Sequence, residues 1–399
     1  MYETRVTRRR LLATGAAAAT ASALCACGDG AAAPVPRVRA LPAGRPEQQF
    51  AWDGSLRSDG FGNRTAPRHH RLLHLALSGP PTVAAAAALE DGLRSIEEST
   101  PAGPRGLLLL VGWGPAWFNV LDVESPIPEP IALTADEAPE LDRFVACVHL
   151  ASDNERLLKT AEATLRRAIR TPFAVADRRA GFTAPGMPRR LSGTLNGIPV
   201  GKPRKSAPLF MGFASGFARN QAREDDVLIA DGAWAGGTTM HVSVLSLALA
   251  TWYGSLNERQ RAARMFAPEI KLERVLEPGD GIDPPDDVVA AARRHGLVGH
   301  AQSMAALRRN GRPRILRRDF NGVDGRQPLV HFVALQRSIE DFVLTRQAMS
   351  ATAAVAADER VTPHVNNGIN EWTSTRSRAN YIVPPRTRRT CPGLDGWDG

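Results

Sequence analysis

Leu72-Leu73-His74-Leu75-Ala76-Leu77, stopped by Ser78-Gly79-Pro80-Pro81 and succeeded by Thr82-Val83, carries two elements and the boundary between them. A short apolar run closed by Gly and Pro is a strand. Thr82 is placed to cap a helix in which Val83, Ala86, Leu89 or Glu90, Leu93 and Ile96 recur at steps of three and four, the spacing of one helix face. Continuing toward the C-terminus, a strand is expected at residues 107–111 and a loop at Gly112-Trp113-Gly114-Pro115. A second strand is expected at residues 144–150 and a helix from about Asp153, burying Leu157, Ala161, Leu165 and Ile169. A last, weakly marked strand falls in the Pro- and Gly-rich stretch 181–200. The order β-α-β-β-α-β is the ferredoxin-like unit.

The pattern recurs. Residues 239–247 alternate as a strand, residues 256–266 read as a helix, residues 314–317 and 329–335 as strands, and residues 338–349 as a helix. The expected fold class is therefore α+β, with two ferredoxin-like halves at residues 67–200 and 201–365 packed around a shared core as a dimeric α+β barrel. No glycine-rich βαβ fingerprint points to a dinucleotide fold.

Outside the two halves, composition speaks of destination. The chain has 399 residues, 43% of them apolar and 6% aromatic, and carries 50 Lys+Arg against 41 Asp+Glu for a net +9. That excludes a disordered or fibrous chain. The first thirty residues hold +2 and residues 372–399 hold +3, which leaves +4 between them, so nucleic acid is not an expected partner. Thr7-Arg8-Arg9-Arg10-Leu11-Leu12 precedes a short, mild apolar stretch ending in Leu24-Cys25-Ala26-Cys27-Gly28. Arg8 and Arg9 resemble the twin-arginine export signal, and Cys27 sits where a bacterial lipobox has its lipidated cysteine; the alternative is ordinary cleavage near Ala26. Residues 1–27 are thus an export signal. Residues 28–66 are a Gly/Pro/Ala-rich linker, either a tether or an irregular arm, and residues 366–399 a basic tail whose residues 381–386 could add an edge strand. The tail arginines are expected to meet solvent or anionic lipid. Of the other two cysteines, Cys147 reads as a buried hydrophobe.

Several blocks resemble the dye-decolourising (Dyp-type) haem peroxidases, in matching order. They are Val111-Gly112-Trp113-Gly114-Pro115-Ala116-Trp117-Phe118, Met211-Gly212-Phe213-Ala214-Ser215-Gly216, Gly236-Gly237-Thr238-Thr239, Arg314-Ile315-Leu316-Arg317-Arg318 and Phe332-Val333-Ala334-Leu335-Gln336-Arg337. The resemblance implies a fold of two ferredoxin-like halves, haem b as cofactor, and hydrogen peroxide and an electron donor as substrates. Residue by residue, it puts the axial iron ligand at His300 and the distal arginine at Arg317. His331, in an apolar strand, is the rival ligand or a pocket-lining residue. Strand alternation sends one of Arg317 and Arg318 into the pocket and the other to water. The departure is Ser215, which stands where the family has its distal aspartate and cannot act as a base near neutral pH. Glu224 or Asp225 is a substitute carboxylate. Three readings result: an exported, lipid-anchored or secreted haem peroxidase, a haem-binding lipoprotein without catalysis, and a haem-free surface protein of the same fold.

Overall fold

The computed structural model describes residues 41–103 and 105–397; the expected signal, with Arg8, Arg9 and Cys27, and the first part of the linker lie outside them. Strand β1 (His69–Leu77) leads through Thr82, whose hydroxyl accepts from the Ala85 amide at 3.2 Å, into helix α1 (Val83–Ser99). Strands β2 (Leu108–Trp113) and β3 (Ala146–Ser152), helix α2 (Glu155–Ala168) and strand β4 (Phe173–Phe182) complete the first unit. The second unit consists of β5 (Thr238–Leu247), β6 (Phe320–Asp324), β7 (Gln327–Gln336), helix α3 (Ile339–Ala348) and β8 (Thr373–Val383). Short helices, among them Leu249–Gly254, Glu258–Met265 and Val288–His295, occupy the excursion between β5 and β6.

The sheet order is β2-β3-β1-β4 in the first unit and β6-β7-β5-β8 in the second, the same permutation twice. Phe182 opposite Asn321 and Gly181 opposite Gly322 join β4 to β6, and Ile382 opposite Trp113 closes β8 onto β2. The result is an α+β barrel made of two ferredoxin-like halves of one chain. The β4–β6 seam needs glycine on both sides. A Cβ on Gly181 would lie 2.0 Å from the Asn321 carbonyl, and one on Gly322 would lie 2.3 Å from His331 Nε2.

Because side chains alternate along each strand, two cores form. Leu73, Leu109 and Val148 face outward and are covered by Leu89 and Leu93 of α1 and Leu158 and Leu165 of α2. Leu72, Leu110, Val242, Val333 and Tyr381 face inward and fill the barrel. Cys147 belongs to this inner layer, buried as expected, and its thiol pKa is pushed far up by burial.

Several expectations are corrected. Asn154, not Asp153, caps α2, accepting from the Arg156 amide at 3.0 Å; Ala161 and Leu165 are buried as expected, Leu158 joins them, and Leu157 and Ile169 are only partly buried against the same core. The last strand of the first unit is Phe173–Phe182, ahead of the 181–200 stretch. In the second unit the ladder strand is Phe320–Asp324, while Leu316–Arg317 forms only a two-residue bridge to β7. The described part of the 28–66 linker is not a tether. Phe50, Trp52 and Leu56 sink into the inner core, and the Gln49 side chain bonds the Val111 main chain, donating at 3.2 Å and accepting at 2.9 Å. It is the irregular arm, held because its aromatic residues fill the barrel interior.

The basic tail is corrected more strongly. Residues 373–383 are not an edge; they pair with β5 along their length. Beyond them, Arg386 and Arg389 are buried, with Arg389 bonded to Glu97 at 2.8 Å and Glu90 at 3.1 Å, and Arg386 paired with Glu97. These arginines neutralise glutamates on the buried side of α1 and meet neither water nor lipid. Among the described residues no helix is long and apolar enough to cross a membrane.

Candidate active site

The outer face of the second half is not covered as the first is. Between β5, β7, α3 and the excursion lies a cavity of about 1070 Å³, at the upper end of the usual ligand-site range. Leu245, Leu247, Val330 and Phe332 form its floor, and Phe342 of α3 and Met349 just beyond it one wall. Segment 133–138 and residues 363–375 complete the rim. Glu137, from that segment, accepts from Arg346 at 2.7 Å and Arg378 at 2.8 Å, so both charges are satisfied within the wall.

His300 opens the short helix His300–Ser303 and lines the cavity. Its backbone is tightly held. Gly299 packs on Phe266, whose carbonyl would stand 2.2 Å from an added Cβ, and a Cβ added to Gly368, at φ +56°, would stand 2.9–3.1 Å from His300 atoms. Gln302 donates its amide to the Phe266 carbonyl at 3.1 Å, and the Ser303 hydroxyl donates to the Gly299 carbonyl at 3.1 Å. The ring is half-exposed, toward the cavity it lines, yet the atoms packed around it desolvate it. That burial, then the positive charges of Arg317 and Arg346, push its pKa down to about 3. The imidazole is therefore neutral at ordinary pH, and no described residue hydrogen-bonds it, carboxylates included. A neutral, unpartnered ring nitrogen is what a metal ligand requires.

Arg317 also lines the cavity. Its amide donates to Gln221 Oε1 at 2.8 Å and its guanidinium to the Asn220 carbonyl at 3.0 Å, which fixes the side chain at the wall. Arg318 points the other way, as alternation requires, but not to water. It is buried against Asp53 at 3.0 Å and Glu224 at 3.1 Å, and lies over Trp52. This removes Glu224 as a substitute carboxylate, because it also accepts from the Trp52 and Asp53 amides and faces away from the cavity. Asp225 is exposed and does not line the cavity either.

His331 is corrected in the same way. Its neighbours Val330 and Phe332 reach the cavity, whereas His331 faces into the barrel, 4.9 Å from the Phe320 ring. It is neither a candidate ligand nor part of the pocket wall. Ser215 does line the cavity. The structure thus brings His300, Arg317 and Ser215 to one space and excludes His331, Glu224 and Asp225.

Two acidic groups at the site had no signal strong enough to single them out. Glu137 lies in a loop with no periodicity. Asp319 lines the cavity two residues beyond Arg317, a spacing that strand alternation could have exposed.

The fold is that of the Dyp-type peroxidases. A Dyp-type peroxidase protein from Shewanella oneidensis superposes with a TM-score of 0.58 at 14% identity, over 81% of this chain and 94% of that one. A Dyp-type peroxidase from Cellulomonas bogoriensis gives 0.57 at 19% identity, over 84% and 95%. A variant of DypB from Rhodococcus jostii, solved in complex with haem, gives 0.54 at 14% identity, over 81% and 94%. No curated protein matches the sequence. The family model that does match spans residues 67–385, both halves of the barrel and the closing strand, and by it this chain belongs to a family of unknown function, DUF7405.

Proposed function

We propose that this protein is an exported haem peroxidase that uses hydrogen peroxide to oxidise an electron donor. The observation that carries the reading is the neutral, unpartnered imidazole of His300 facing a large, mainly apolar cavity that it shares with Arg317. The residues present fit a haem. His300 supplies one donor, which leaves the remaining iron ligands to a macrocycle. The walls are mainly apolar, which suits the faces of a porphyrin. Cys147 and Cys391 are buried elsewhere, which favours non-covalent haem b. Bound there, haem supplies the iron chemistry that cleaves a peroxide O–O bond. Arg317, permanently charged, steadies the negative charge that gathers on peroxide oxygen as the bond breaks.

A second reading, haem binding without turnover, rests on Ser215, which offers a hydroxyl where proton transfer asks for a base. The absorption spectrum of protein expressed with haem supplied separates these readings. A Soret band lost in His300→Ala supports both, and peroxide-dependent dye oxidation lost in Arg317→Ala supports the first alone. A wild-type protein without a Soret band overturns both.

For placement, Arg8 and Arg9 support passage through the twin-arginine machinery, and Cys27 supports a lipid anchor at the outer face of the cytoplasmic membrane, with secretion as the alternative. Cys27→Ser moves an anchored protein from the membrane fraction to the soluble one and leaves a secreted one unchanged.

A further inference from the structure

Four described carboxylates line the cavity, and they are not equivalent. Glu137 is committed to Arg346 and Arg378. Asp136 is paired with His364 at 2.9 Å near the rim. Glu371 is exposed. Asp319 is half-buried, lines the cavity, and has no ion pair or side-chain hydrogen bond to any described residue; only its main-chain carbonyl is used, accepting from the Thr183 hydroxyl at 3.2 Å. It also lies two residues beyond Arg317 on the extended segment leading into β6, so Arg317 and Asp319 share a face while Arg318 between them faces the barrel.

From this we infer that Asp319 is the distal acid–base residue, doing from the arginine's own segment what Ser215 cannot do from its loop. The inference rests on the peroxidase reading. Its carboxylate takes the proton from one peroxide oxygen and returns it to the other. The O–O bond then breaks with its electron pair on the oxygen that leaves as water. The carboxylate ends as it began, so the proton count closes. The donor substrate supplies the two electrons, and donor and solvent the two protons, that carry the other peroxide oxygen to a second water. Arg317 lies beside the transfer and never gives up its own proton.

The test uses the haem-loaded full chain and two readouts. The first is the association rate of hydrogen cyanide, monitored by absorption, because hydrogen cyanide binds as the anion and its proton needs an acceptor at the site. The second is peroxide-dependent dye oxidation. Asp319→Asn is expected to slow both by about 100-fold, the size of a lost general base, with the Soret band retained. Asp319→Glu keeps most of each rate, the double variant Asp319→Asn with Ser215→Asp recovers them by restoring a carboxylate to the cavity, and Asp225→Asn changes neither. Cyanide and peroxide rates unchanged in Asp319→Asn, in a wild type that shows both, overturn the inference and leave the peroxidase reading standing. A wild type that binds haem without oxidising dye overturns that reading, while cyanide binding still reports on Asp319.

Discussion

The two halves of the barrel share one strand order and differ in what lies on their outer faces. In the first half, β1 passes into α1 within a few residues, and α1 and α2, of 17 and 14 residues, lay Leu89, Leu93, Leu158 and Leu165 directly onto the sheet. In the second, residues 248–319 intervene between β5 and β6, their helices are short, and the 10-residue α3 packs on the sheet. The corresponding face is left as the cavity that His300, Arg317 and Asp319 line. One repeat is filled to hold the fold together, and the other is kept hollow for a ligand.

With that division, the halves respond differently to damage. The largest effect is expected at the tie between the chain's end and the filled half. Arg389→Ala breaks two buried ion pairs, leaving Glu97 to Arg386 and Glu90 to Arg94, and should lower unfolding stability by about 3–5 kcal/mol in a denaturant titration. Next, Leu89→Ala, in the filled core, should cost about 2–5 kcal/mol. Phe332→Ala, which borders space already empty, should cost visibly less while weakening haem retention; equal losses at the two sites would erase the distinction. Gly368→Ala forces a side chain into a left-handed backbone and against His300. It should cost about 1–3 kcal/mol and loosen the haem, read as Soret loss on challenge with an apo-globin acceptor.

The last effect is one of pH, absent at neutral pH and confined to acid conditions. Burial holds His331 neutral, with its pKa lowered to about 3 from an unfolded value near 6.5. Between those values the unfolded chain carries the extra proton, so stability is full above pH 6.5 and falls as the pH drops toward 3. His331→Gln should reduce the slope of stability against pH by about 1.4 kcal/mol per pH unit in that window. A histidine exposed on the surface would show no such change, so the measurement also checks that His331 is buried.

Much of this was legible in the chain. Thr82 as a cap, the apolar spacing of α1, the repeat of strand and helix, and His300, Arg317 and Ser215 as members of one site all come from local pattern or block order, and the cavity assembles those three residues. Other features were not, because they depend on partners distant in sequence. Arg386 and Arg389 read as surface charge until Glu90 and Glu97, some 290 to 300 residues away, are seen to meet them. Phe50 and Trp52 read as part of a linker until the barrel interior receives them. Residues 320–324 carry no expected strand until the seam with Gly181 shows a strand there with glycine at 322.

What the sequence determined by itself was therefore the set of local elements, their order and their repetition. Periodicity and capping act over a few residues and do not wait for the rest of the chain. The tertiary structure alone decided which face of each strand is inside, and so separated Arg317 from Arg318 and Phe332 from His331. It also decided which carboxylates are spent on ion pairs and that Asp319 is left without one among the described residues of the cavity. Those outcomes depend on burial and on charge pairing across hundreds of residues, which only closure of the barrel brings together.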